Sequence, residues 1–142
     1  MERLLVEQLY FRKVIFITSD YYTMQESIHL KLSAQQQQLL KTDTNSTPRL
    51  IGEVIPVYAE QIGYMLQAYY PRQKVSKVEI MSDTIGLYDN GVVHLKLTYL
   101  LEEFNACSAI DREDKEKMPV KVTLDEDGEA LLLTGEYWPS RD

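Results

Sequence analysis

In the second half of the chain apolar and polar residues alternate with period two, the pattern of strands with one dry and one wet face. Val78 and Ile80 alternate with Lys77 and Glu79. Val93, Leu95, Leu97, Tyr99 and Leu101 point one way while His94, Lys96 and Thr98 point the other. Val120, Val122 and Leu124 repeat the pattern around Lys121 and Thr123. Asp89-Asn90-Gly91 predicts a hairpin joining 84–88 to the strand from residue 93, with Asn-Gly supplying the two positive-φ residues of a type I′ turn. Asp127-Gly128 predicts a second hairpin whose last strand covers 130–138 and stops at Pro139.

The first half reads differently. Over residues 2–12, Leu4, Leu5, Leu9 and Arg12 carry a short helical spacing, and Val14-Ile15-Phe16-Ile17-Thr18 is β-branched and aromatic enough for a buried strand; one long strand from Gln8 to Thr18 is the alternative. Thr23-x-x-Glu26 has the form of a capping box, and Met24, Ile28, Leu32, Gln35 and Leu39 follow at helical spacing, which predicts a helix over 22–41. The glutamine run 35–38 falls inside it. Residues 42–48, rich in Thr, Asn and Ser, predict a loop, and the glycosylation-like Asn45-Ser46-Thr47 is read as part of it. After a short apolar piece at 50–55, Pro56 opens a second helix that carries Tyr58, Ile62, Met65 and Tyr69 on one face and ends at Pro71.

These elements make an α+β domain: two N-terminal helices packed on one face of an antiparallel sheet built mainly from two C-terminal hairpins. Their order resembles that of cystatin-like and nuclear-transport-factor-like cone folds, as an analogy of element order, with the strand at 14–18 departing from it. A length of 142 residues suits a single domain, 1–142, with one complete core. One cysteine, Cys107, and no secretory signal pattern imply the cytoplasm. No apolar run approaches the ~20 residues of a membrane-spanning helix.

Charge adds a restriction. The net charge is −7, and residues 102–129 hold ten of the 22 acids but four of the 15 bases. A field of that sign argues against nucleic acid as partner. The 102–118 part of this block predicts an acidic connection with a helical turn.

Little in the sequence calls for catalysis. His29, His94 and Cys107 are too scattered for zinc, and Asp125-Glu126-Asp127-Gly128-Glu129 lacks the distal ligand of a calcium loop. The glycines form neither a phosphate loop nor a dinucleotide fingerprint, so no cofactor and no metal are expected. His94 falls on the wet face of its strand, away from the leucines.

Three functions compete. The first is a non-catalytic protein interaction or assembly module, engaging a protein partner or itself through Tyr58, Tyr69, Tyr70, Tyr137 and Trp138, with 130–138 as an edge strand that pairs across a homo-oligomer axis. The second is a small-molecule pocket, enzymatic or not, lined by Met65, Tyr69, Leu95, Leu97 and Tyr99 with His94 reaching in. The third is an acidic chaperone or inhibitor that meets a basic protein through 102–129.

Overall fold

A computed structural model describes residues 24–88, 90–105 and 108–139. The helix expected at 2–12, the strand at 14–18, Tyr21, Tyr22 and Cys107 lie outside them. Residues Glu26–Glu136 form one compact unit, and the chain ends form another. In the latter, Met24 and Trp138 exchange backbone hydrogen bonds of 2.9 and 2.8 Å.

The large unit is α+β, as the patterning predicts. Its elements are β1 (Ser27–Lys31), α1 (Ala34–Thr42), α2 (Thr47–Val57), α3 (Ala59–Gln67), β2 (Lys74–Ile80), β3 (Gly86–Leu87), β4 (Val93–Asn105), β5 (Ser108–Leu124) and β6 (Ala130–Thr134). The strands form one antiparallel half-barrel in the order β1-β6-β5-β4-β2, with β3 also pairing β4.

Of the segment expected to be a helix over 22–41, the described residues from Met24 onward hold a strand followed by a shorter helix. A spacing of four fits both periods, and Leu30, midway between Ile28 and Leu32, decides for period two. Leu30 and Leu32 are buried while His29 and Lys31 are exposed. The capping box also moves. Ser33 Oγ accepts from the Gln36 N–H at 3.1 Å, and Gln36 Oε1 accepts from the Ser33 N–H at 2.9 Å, so α1 starts at Ala34.

Proline placement shifts the second helix in the same way. Pro48, not Pro56, occupies a first turn, and the apolar piece 50–55 is the buried face of α2 through Leu50, Ile51, Val54 and Ile55. Pro56 sits in the last turn of α2, where its missing N–H helps end the helix. The chain breaks at Tyr58 and resumes as α3, which buries Ile62, Met65 and Leu66. Gly63 admits the sheet closely: a Cβ there would lie 3.6 Å from Val78 Cγ2.

In the sheet, β4 buries Val93, Leu95, Leu97, Tyr99 and Leu101, and β5 buries Met118, Val120 and Val122, as alternation requires. β2 carries one residue too many: Val75 pairs with Leu101 and Ile80 with Leu97, so five steps oppose four. The surplus is a bulge around Lys77, whose φ is +53°, and it lets odd-numbered Val75 and even-numbered Ile80 stand beside the same inward row.

Three further expectations change. The 102–118 connection is strand: β4 and β5 stay paired from Val93↔Val122 to Asn105↔Ser108. The long neighbour of β4 is β2, and the 84–88 segment contributes only two paired residues, Gly86 and Leu87. Its turn is not type I′, since Gly91 has φ +81° but Asn90 does not have positive φ; the Gly91 N–H donates to the Tyr88 carbonyl at 2.9 Å. The second hairpin closes as expected through Asp125–Glu129, with Gly128 at φ +76°. Its strand β6 is interior, paired with β5 on one side and β1 on the other, so it is no edge for a dimer to extend.

Candidate functional site

Two groups of residues stand out in the large unit, one filled with side chains and one open. The filled group contains the aromatic residues singled out from the sequence. Tyr69, just past α3, points its hydroxyl between two strand ends: it accepts from the Glu26 N–H at 2.9 Å and donates to the Glu136 carbonyl at 2.8 Å. Gly135 makes room for it, because a Cβ at that position would lie 2.6 Å from Tyr69 Oη. Burial pushes the Tyr69 hydroxyl up to about 12. The Tyr70 and Tyr99 hydroxyls lie 2.7 Å apart, and both are raised, chiefly by burial. Tyr58, at the break between α2 and α3, donates to the Lys31 carbonyl at 2.7 Å. Each of these hydroxyls therefore fastens a helix end to a strand or one ring to another.

Met65, Leu95, Leu97 and Tyr99 meet in the same core, each no more than 6% exposed. His94 is separated from them by the alternation of β4 and lies against Tyr88, ring centroids 4.5 Å apart at 30°. In the small unit Tyr137 is exposed, and Trp138 is half-buried with its backbone bound to Met24. Among the described residues no group of three His, Cys, Asp or Glu is placed to hold a metal ion, and no helix is long and apolar enough to cross a membrane.

The open group is a cleft of about 680 Å³ bounded by α1, α2 and one end of the sheet. Its floor is Ile51 of α2 with Val93, Val122 and Leu131 from the three central strands, none more than 2% exposed. Leu40 of α1 forms a wall. Leu87, Tyr88 and Leu124 form the rim, 39, 54 and 44% exposed. Two threonines on the helical side, Thr44 and Thr47, line the cleft, and Asn90 fixes its loop by accepting the Val92 N–H at 3.1 Å. On the helical side, Ser46 Oγ donates to Asp43 Oδ2 at 2.7 Å and steadies the turn between Thr44 and Thr47. Among the described residues that line it, none is a carboxylate, an amine or an imidazole. Such a surface holds apolar groups and offers a few hydroxyls for orientation, and its described lining residues supply no acid or base to move a proton at neutral pH.

None of the cleft residues was singled out from the sequence as a site. Val93, Val122 and Leu131 read as core and are buried, and only tertiary structure reveals that they form the floor of a hollow rimmed by Leu87, Tyr88 and Leu124. The one signal available was an excess of large apolar residues, Leu87, Tyr88 and Leu124, next to turn residues. No family model, curated protein or solved structure matches this chain.

Proposed function

We propose that the protein is a non-catalytic interaction module that binds a protein partner by taking apolar side chains into this cleft. One observation carries the reading: three of the large apolar residues that remain exposed, Leu87, Tyr88 and Leu124, ring a concave floor of buried aliphatic side chains. Exposed apolar residues gathered around a hollow, rather than scattered singly, are what a docking surface requires. The partner is either a different protein or a second copy of this chain. A cytoplasmic setting accords with the lone cysteine.

A small neutral ligand is the second reading, and the cleft volume supports it, since it falls within the roughly 300–1,000 Å³ common for ligand pockets. Selection from a displayed peptide library separates the two. The protein-partner reading expects enriched peptides that share an apolar or aromatic anchor and lose binding to Leu87→Asp/Leu124→Asp, which puts charge on the apolar rim. Peptides that bind both forms equally, or no enrichment at all, would sink it, and light scattering over a concentration series reads out the self-association form.

A further inference from the structure

The strand β5 sorts its charges by face, although its sequence reads as part of an acidic block. Asp114 and Glu116 continue the inward row of Met118, Val120 and Val122, while Lys115, Lys117, Pro119 and Lys121 take the outward positions. On the neighbouring strand, Lys96 lies opposite Pro119, between Lys117 and Lys121, and His94 lies opposite Lys121. The four lysines are exposed, and among the described residues none of them has an ion-pair partner. Other acids of this outer face stand at its margins: Glu79 opposite Thr98 on β2, and Glu102 opposite Glu113 farther along the hairpin. In a chain of net charge −7, a sheet face with four adjacent unpaired lysines is a concentration of the minority charge, and like charges side by side on a sheet oppose folding.

We infer that the outer face of β4 and β5 docks a short acidic segment of a protein partner in extended conformation. Charge complementarity selects the acid. The size of the patch selects a short segment: Lys115 to Lys121 spans about 20 Å along the strand, with Glu113 beyond one end and the acidic turn Asp125–Glu129 beyond the other. A segment with Asp or Glu at every second position repeats every ~7 Å, which sets successive carboxylates against Lys117, Lys96 and Lys121. A nucleic acid strand or an anionic bilayer would extend past the patch onto those acids, and Tyr88, the exposed ring beside the patch, already lies against His94. None of the four lysines lines the cleft, so either assignment stands without the other.

Fluorescence anisotropy with a labelled peptide of alternating Glu and Ser tests the inference on the full chain, at about 20 mM and about 200 mM salt. The expected result is saturable binding that weakens with salt and falls about tenfold in Lys96→Glu/Lys117→Glu/Lys121→Glu. The control Lys41→Glu/Arg49→Glu/Arg72→Glu, with the same change in net charge, is expected to bind within about twofold of the parent. If the first variant does not fold, Lys→Gln at the same three positions replaces it. Equal losses in test and control variants would overturn the assignment. So would tighter binding of oligothymidylate or of phosphatidylserine vesicles than of the peptide, or association between copies of the chain that the lysine substitutions abolish.

Discussion

Replacing Tyr69 by Phe removes one oxygen atom and with it two hydrogen bonds, to the Glu26 N–H and the Glu136 carbonyl, at the place where β1 and β6 run out. The ring itself stays, so packing against the core is preserved. Each bond contributes about 1 kcal/mol net, and leaving a partly buried N–H and carbonyl short of these partners brings the expected loss to about 2–3 kcal/mol. For a chain of this length that is a fall in melting temperature of about 10 °C. Tyr58→Phe is the internal control. It deletes a hydroxyl bond of similar length, 2.7 Å to the Lys31 carbonyl, in an exposed setting where water takes the place of the hydroxyl. Its expected cost is under about 1 kcal/mol. Urea unfolding followed by far-UV circular dichroism gives both values, and hydrogen exchange at Glu26 reports the site directly. Equal losses for the two variants, or a Tyr69→Phe variant as stable as the parent, would refute the claim that this hydroxyl joins the strand ends.

Alkaline pH tests the same tyrosines. The folded state holds Tyr69 neutral up to about 12, and Tyr70 and Tyr99 are also raised, whereas the unfolded chain ionises its tyrosines near 10. The stabilisation is thus complete below about pH 10 and is lost as pH rises through the folded values; chemical denaturation at stepped pH, with tyrosinate absorbance read in parallel, should show stability falling only on that side. Gly135→Ala sets a methyl against Tyr69 Oη and is expected to destabilise at least as much as Tyr69→Phe, while the double variant Gly135→Ala/Tyr69→Phe should cost less than the sum of the two, as measured by the same urea titrations. Gly128→Ala meets no atom within 4 Å, so its cost of about 1 kcal/mol comes from the positive φ alone. Ser33→Ala should lower stability by about 1 kcal/mol through loss of the α1 capping box, read by thermal unfolding.

The sheet was legible where side chains keep strict period two. β4, the buried half of β5 and the turn at Gly128 follow from alternation and turn chemistry, because a strand with one dry face leaves no freedom in which residues face inward. Legibility fails where one pattern serves two structures. Ile28 and Leu32 suit a helix as well as a strand, and Leu30 was the residue to weigh. Acids at 102–118 suggested a solvated connection, but in a strand such charges stand on alternate faces, as Glu113 and Asp114 do. Pro48 and Pro56 obey the same rule about helix first turns, and nothing local says which one starts the helix. The Lys77 bulge shows itself only as a change of parity between Val75 and Val78. The cleft was hidden for a different reason: its residues come from α1, α2 and four strands, and a buried residue on the floor of a hollow has the same local sequence as one packed directly beneath a helix.

The cleft itself is the point on which the functional account rests. A titration of methyl-labelled protein with a small apolar probe such as anilinonaphthalene sulfonate, followed by carbon–proton correlation spectra, tests it most directly. The account predicts saturable shifts concentrated at the methyl groups of Leu87, Val93, Leu124 and Leu131, and the loss of those at Val93 and Leu131 in Leu87→Asp/Leu124→Asp. Shifts centred on Val57 and the outer faces of α2 and α3, or no saturable shift anywhere, would contradict it.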